Sequence, residues 1–305
     1  MDRKALRASA LLLLGAFIWG TAFVAQSIGM DHLGPYTYTA IRCLMGGIFL
    51  AAAAAIRDGR RGVKPSRQER KTLWKAGLLI GICLCFATNL QQIGILYSSV
   101  GKSGFITAFY IVLVPVLGVF VGRRSRPMIW VCAVLGCAGL YFLFGGGPFT
   151  PEKGDLALAA CALFFAVQIL LIDRFGVQLD SIRLCSAEML VCGLLSCVPA
   201  VLFETLDPAA LVPAAGSLLY AGILSSGVAY TLQIAGQRDL HPAAASLIMS
   251  LESVISALAG WAILHQKLSP VELTGCALMF AAVVLVQLPE KRKRTDRAQT
   301  DQAPV

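Results

Sequence analysis

Ten apolar runs dominate the sequence, each about twenty residues long and separated by short polar segments. An α-helix rises about 1.5 Å per residue, so a run of this length crosses a hydrocarbon core about 30 Å thick. Backbone groups in lipid must find hydrogen-bond partners within the protein, and a helix supplies them within one segment. The sequence therefore predicts an all-α membrane protein with ten transmembrane helices, at about residues 8–29, 35–56, 73–97, 102–121, 127–145, 154–174, 181–203, 213–236, 242–264 and 269–288.

The composition is that of a membrane protein, and the sequence lacks the motifs of a cleaved signal peptide, an ATP-binding loop or a metal site. Only 14% of the 305 residues are charged, against roughly 25% in soluble globular proteins. The first apolar run lacks a clear cleavage site, so we expect it to be retained as a helix. The Gly-Lys-Ser at 101–103 lacks the earlier glycine of an ATP-binding loop, because that position is Leu96. The ten cysteines all fall inside predicted spans without metal-ligand spacing, and we expect neither a metal nor another cofactor.

Basic residues alternate sharply between the loops. One side of the predicted topology holds 21 lysines and arginines and the other side holds 3. The positive-inside rule then places both termini in the cytoplasm of a multi-pass plasma (inner) membrane protein. The basic tail, 290–305, is interpreted as a topology signal that contacts anionic membrane lipid, and no nucleic-acid partner is expected.

The second half of the chain repeats the first weakly but in order. At a shift of 146, Leu44 and Gly47 match Leu190 and Gly193; shifts of 141 and 139 align later spans. Each half holds five spans, an odd number, so the second half enters the membrane from the opposite side. The sequence thus predicts an inverted repeat, the architecture of many secondary transporters, with a substrate site between the halves.

Polar side chains line one face of two repeat-related spans. Cys85, Asn89 and Gln92 lie at i, i+4 and i+7 in the third span, and Ser226, Tyr230 and Gln233 do so in the eighth. The first and sixth spans carry a thinner version of the pattern. Such faces either line a cavity or hold the bundle together by interhelical hydrogen bonds. As cavity residues we predict Trp19, Gln26, Asn89, Gln92, Phe165, Gln168, Tyr230 and Gln233.

Ionisable residues inside spans give the stronger signal, because a charge at the bilayer centre costs roughly 3 kcal/mol or more. Glu252 lies about ten residues into the ninth span, near the midplane. It is a candidate for proton coupling or for binding a substrate amine, and the alternative is a hydrogen-bonded structural carboxyl. Arg42 is a candidate for a substrate carboxylate, with a structural bond to backbone carbonyls as the alternative.

Three stretches resemble a known family: GAFIWGTAFV at 15–24, PYTYTAIRCLMGG at 35–47 and LESVISALAGWAIL at 251–264. Together with the ten apolar runs they resemble the EamA-type branch of the drug/metabolite transporter superfamily. The resemblance implies an EamA-like repeat at 1–146, an inverted one at 147–289, and transport of small metabolites such as amino acids. Where the family usually has Glu-Pro in the ninth span, this chain has Glu252 and Ser253.

The function expected from these features is secondary active transport, in the direction of metabolite export, of a small molecule such as an amino acid or related amine. Coupling is to protons, or transport is facilitated diffusion. A lipid-carrier flippase and a membrane-embedded enzyme remain as alternatives, although no catalytic set is evident by spacing. Two inverted halves in one chain make a monomer sufficient, and a dimer is compatible with the sequence.

Overall fold

The computed structural model describes residues 3–62, 65–97, 100–123, 125–143, 153–205, 207–264 and 269–288. The predicted tail at 290–305 lies outside these residues. Within them the regular elements are helices, and no strand is present. Its α-helices, in chain order, are α1 (Arg3–Met30), α2 (Pro35–Arg61), α3 (Arg67–Tyr97), α4 (Val100–Ala108), α5 (Tyr110–Phe120), α6 (Pro127–Leu143), α7 (Asp155–Phe175), α8 (Ser181–Phe203), α9 (Leu211–Leu219), α10 (Tyr230–Gln237), α11 (Pro242–Met249), α12 (Leu251–Leu264) and α13 (Pro270–Val286).

Eight helical segments of the described chain are long and apolar enough to cross a membrane. Two further apolar helices, α6 and α13, are 17 residues long each. The prediction of an all-α, multi-pass membrane protein is therefore confirmed. Some helices continue beyond the apolar runs: α2 ends at Arg61 rather than near residue 56, and α3 begins at Arg67 rather than near residue 73.

Two predicted spans are broken helices. Phe109 separates α4 from α5, and Ser250 separates α11 from α12. The two break residues have nearly the same backbone conformation, with φ −60° and ψ −11° at Phe109 and φ −61° and ψ −13° at Ser250. Around each break the chain tightens into bonds between residues three apart, from Phe109 N–H to Ile106 O and from Ser253 N–H to Ser250 O. The spans predicted at 102–121 and 242–264 contain candidate membrane-spanning segments, Ser103–Phe120 and Pro242–Ala259, and each is interrupted by one break.

The eighth predicted span is also irregular. Between α9 and α10 the chain forms a π-helix over Tyr220–Ala229. A π-helix closes its hydrogen bonds five residues apart and is wider than an α-helix, so it rotates the side chains that follow relative to an α-helical register. The i, i+4, i+7 spacing used to predict a polar face here therefore does not apply through residue 229.

Helices α2 and α8 pack against each other as an antiparallel pair. Arg57 near the end of α2 bonds to Asp180 just before α8, and the Glu204 carboxylate just after α8 accepts from the Tyr36 and Thr37 N–H groups at the start of α2. Elsewhere in the bundle, α1 packs against α10 and α12, and α7 packs against α3 and α5. The helices α6 and α13 pack against each other.

Candidate functional site

A cavity lies inside the bundle where helices of both halves of the chain meet. It encloses about 490 Å³ of space not occupied by protein atoms, part of which is open to solvent. Its walls come from α1, α2, α3, α5 and α7, from the π-helix, and from α10, α11 and α12. Eight of the predicted site residues line it, namely Trp19, Gln26, Arg42, Phe165, Gln168, Tyr230, Gln233 and Glu252.

The acidic group of the cavity is Glu252 on α12, whose residue is 8% exposed. The Tyr110 hydroxyl on α5 donates a hydrogen bond of 3.1 Å to its Oε1. Glu252 follows the helix break at Ser250 by two residues, and Tyr110 directly follows the break at Phe109. A carboxyl group at such a place can hold a proton or meet a cationic ligand.

The basic group is Arg42 on α2, only 2% exposed. Its Nη1 donates to the Ser226 hydroxyl at 3.4 Å, whereas Nε and Nη2 have no hydrogen-bond partner among the described residues. Among the described residues, Arg42 donates no hydrogen bond to a backbone carbonyl, the alternative role considered for it. A planar guanidinium with free donors is suited to a carboxylate or phosphate group.

Aromatic rings form part of the wall next to these charged groups. The Trp19 and Tyr230 rings meet edge to face, with centroids 4.8 Å apart. Phe165 and Phe23 also line the cavity. The indole N–H of Trp19 has no hydrogen-bond partner among the described residues, so this wall combines apolar ring surface with one free donor.

Two amide side chains, both buried, meet across the helix interface at the cavity. Gln233 Nε2 on α10 donates to Gln168 Oε1 on α7 at 3.2 Å. The remaining amide atoms, Gln168 Nε2 and Gln233 Oε1, have no partner in the described chain, and the same holds for Gln26 Oε1. Buried polar atoms are nearly always hydrogen-bonded in proteins, so free donors and acceptors at a cavity are suited to a polar ligand.

Two predicted cavity residues lie elsewhere. Asn89 Nδ2 donates to Cys85 O on its own helix and to the Ser196 hydroxyl on α8, both at 2.8 Å. Gln92 is fully buried on α3 and does not line the cavity. The hydrogen bond to α8 agrees with the alternative interpretation of this polar face of α3, in which interhelical hydrogen bonds hold the bundle together.

The sequence reasoning missed several lining residues. Gln91, rather than Gln92, is the amide of α3 at the cavity, and Ser225, rather than Ser226, is the hydroxyl of the π-helix there. The π-helix accounts for the second shift, since it changes the register of its side chains. The others missed are Phe23, Tyr110, Ile169 and Met249. No spacing signal marks Tyr110, which reaches Glu252 only through tertiary packing.

Two successive segments, 6–145 and 152–288, match the EamA-like transporter family. An uncharacterized transporter of Archaeoglobus fulgidus is 29% identical over 286 residues, which cover 93% of this chain and 87% of that protein. The uncharacterized transporter YwfM of Bacillus subtilis is 25% identical over 95% of this chain and 97% of its own length.

Two further similarities agree with this assignment. The uncharacterized inner membrane transporter YedA of Escherichia coli is 24% identical over 89% of this chain and 87% of its own length. A protein crystal structure superposes with a TM-score of 0.74 at 21% identity, covering 92% of this chain and 98% of that one, and supports the fold. The chain belongs to the EamA-like transporter family of multi-pass membrane proteins.

Proposed function

We propose that this protein is a secondary transporter that exports a small metabolite, such as an amino acid or related amine, across the plasma (inner) membrane by alternating access. The observation that carries the proposal is one cavity, lined by both halves of the chain, that presents the free guanidinium donors of Arg42 and the carboxyl of Glu252. Its chemistry is binding and release, with no enzymatic step.

The substrate class follows from the groups in the cavity. Arg42 binds a carboxylate, and Glu252 binds an amine or carries a proton in its place. Trp19, Phe165 and Tyr230 accommodate an apolar portion of the substrate. The amides Gln168 and Gln233 hold its remaining polar groups through their free atoms.

The proposed architecture is ten spans in two inverted five-helix repeats, at 1–146 and 147–289. The helix breaks support it, because Phe109 and Ser250 are related by the shift of 141 that aligns the third and eighth spans. Helix packing supports it as well: α1 contacts α10 and α12, and its counterpart α7 contacts α3 and α5. Broken helices in corresponding positions of two repeats are a recurrent feature of secondary transporters at their binding sites.

Orientation follows from charge. The proposed orientation has both termini in the cytoplasm, and the excess of lysine and arginine on one set of loops supports it. On that side the ion pairs Arg57–Asp180 and Arg183–Asp58 join the two halves. We infer that this end of the α2–α8 pair stays together while other helices rearrange.

The proposal is tested by purifying the protein, reconstituting it in liposomes, and offering a mixed metabolite extract with and without a pH gradient. Entrapped solutes are identified by mass spectrometry for the wild type, for Glu252→Gln and for protein-free vesicles. The matched control is Glu272→Gln: this glutamate forms the capping box of α13 with Ser269, and glutamine also serves in that position.

Gradient-dependent enrichment of amino acids or amines that is lost in Glu252→Gln, and kept in Glu272→Gln, supports the proposal in full. If enrichment is unchanged in Glu252→Gln, the transport function stands, but this carboxyl has no role in coupling. If folded protein enriches no solute, the proposal that it transports small metabolites is refuted. A fluorescent-lipid scrambling assay then tests the flippase alternative.

A further inference from the structure

The two broken helices meet at a small set of buried contacts. The start of α12 touches both parts of the first broken helix. Glu252 accepts from Tyr110 at the start of α5, and Ser253 donates from its hydroxyl to the Gly104 carbonyl of α4, at 3.3 Å. The beginning of α12 therefore spans the break at Phe109 and is tied to the helix on either side of it.

We propose that the Tyr110–Glu252 hydrogen bond couples the charge of the cavity carboxyl to the relative positions of the two broken helices, which makes Tyr110 a positioning residue of the site. Its role in transport rests on the function proposed above. The coupling between the two breaks does not, because it is a property of the folded protein without any cargo.

Geometry supports this role. Tyr110 is 4% exposed and lines the same cavity as Glu252. Each residue lies within two positions of a break, where the regular ladder of helical hydrogen bonds is interrupted. A displacement of either side chain is therefore transmitted to a point where the backbone already departs from a continuous α-helix.

The charge of Glu252 sets the strength of the link. A hydroxyl donates a stronger hydrogen bond to an ionised carboxylate than to a neutral acid, by roughly a factor of two. A proton on Glu252 weakens the bond directly, and a bound amine competes for the carboxylate oxygens. Either event loosens α12 from α5, while the Ser253–Gly104 bond remains with α4.

Other titratable groups near Glu252 are few among the described side chains. The helix α11 carries none, and Glu272 of α13 is engaged in its capping box. The helix α1 presents uncharged side chains to the cavity. Those that interact with Glu252 or face it across the cavity are Tyr110 on α5, Cys161 on α7, Arg42 on α2 and Tyr230 on α10.

Hydrogen exchange measured by mass spectrometry on detergent-solubilised protein tests the coupling. In Tyr110→Phe we expect about tenfold faster exchange at both breaks, the factor that follows from losing one hydrogen bond to a charged group. In the wild type, exchange corrected for its intrinsic pH dependence should be slower at a pH at which Glu252 is ionised than at a lower pH at which it is protonated, because only the ionised carboxylate forms the stronger bond. Glu252→Gln and Tyr110→Phe should both remove this difference, and the double variant should add nothing to either single one.

Tyr38→Phe is the matched control. Tyr38 is a fully buried tyrosine whose hydroxyl bonds to the Ser217 hydroxyl at 2.7 Å, and it does not line the cavity. It should leave exchange at the breaks and its pH dependence unchanged. Faster exchange confined to α5 in Tyr110→Phe, or a pH dependence that survives in that variant, overturns the proposal. In the liposome assay Tyr110→Phe should flatten the pH profile of solute enrichment, and failure of all variants to enrich a solute would refute the transport function without affecting the exchange result.

Discussion

Gly47 lies so close to Leu190 that a Cβ atom on residue 47 would come within 2.8 Å of the leucine Cγ. The repeat-related pair has the same relationship, since a Cβ on Gly193 would lie 2.8 Å from Leu44 Cγ. Small residues at these two places let α2 and α8 approach closely, and such packing drives helix association in lipid.

We expect Gly47→Ala and Gly193→Ala each to destabilise the protein by about 1 to 3 kcal/mol, the usual range for an added methyl group in a packed interface. Thermal unfolding in detergent is the measurement. Gly59→Ala is the control, because nothing lies within 4 Å of a Cβ at that position of the same helix. Equal melting temperatures for all three variants would contradict the close packing.

Arg42 provides a test of carboxylate binding. Arg42→Gln should lower the affinity for carboxylate-bearing solutes roughly tenfold or more, because charge-assisted bonds are lost. Arg42→Lys should recover only part of it, since lysine cannot form the paired bonds of a guanidinium. Solute enrichment in liposomes over a concentration series measures this effect, with the exposed Arg61→Gln as control. Unaltered uptake of carboxylates by Arg42→Gln would remove this residue from the binding site.

Asn89 and Gln91, two residues apart on α3, should behave in opposite ways. Asn89→Ala removes the bond to Ser196 on α8 and should cost about 1 kcal/mol of stability while transport is retained. Gln91→Ala changes the cavity wall and should alter solute selectivity with little change in stability. Melting temperatures and solute profiles of the two variants are the measurements. Changed solute selectivity in Asn89→Ala, with a loss of stability in Gln91→Ala, would instead place Asn89 at the cavity.

Asp180 gives a prediction for pH. Burial raises the pKa of its carboxyl, but hydrogen bonds from the Arg57 guanidinium and the Arg183 backbone N–H outweigh this and hold the pKa below its ordinary value. An aspartate with a lowered pKa stabilises the fold above its unfolded pKa of about 4, and this contribution is lost as the pH falls through the folded value. Asp180→Asn keeps an N-cap residue for α8 but removes the ion pair. The wild type should therefore melt higher than the variant at pH 6, and the gap should close as the pH approaches 3.

Much of the architecture was accessible from local sequence. Apolar runs long enough to span lipid predict helices, because a backbone in hydrocarbon has no other economical way to satisfy its hydrogen bonds. Arg42 and Glu252 were identified because a charge within such a run is costly and needs a reason. The weak repeat pairs Leu44 with Leu190 and Gly47 with Gly193 from sequence alone.

Only the tertiary structure decided which polar residues face the cavity. Helical spacing groups Asn89 with a polar stripe but does not tell which neighbour covers that stripe, and here α8 does. The π-helix at Tyr220–Ala229 and the breaks at Phe109 and Ser250 leave no clear local pattern, and they change side-chain register where they occur. Tyr110 meets Glu252 across 142 positions of sequence. The sequence by itself therefore determined which segments are apolar enough to enter the membrane and which charged residues lie within them. Helix packing determined which of those groups come together. Contacts between distant helices depend on register and rotation, and no local spacing encodes these.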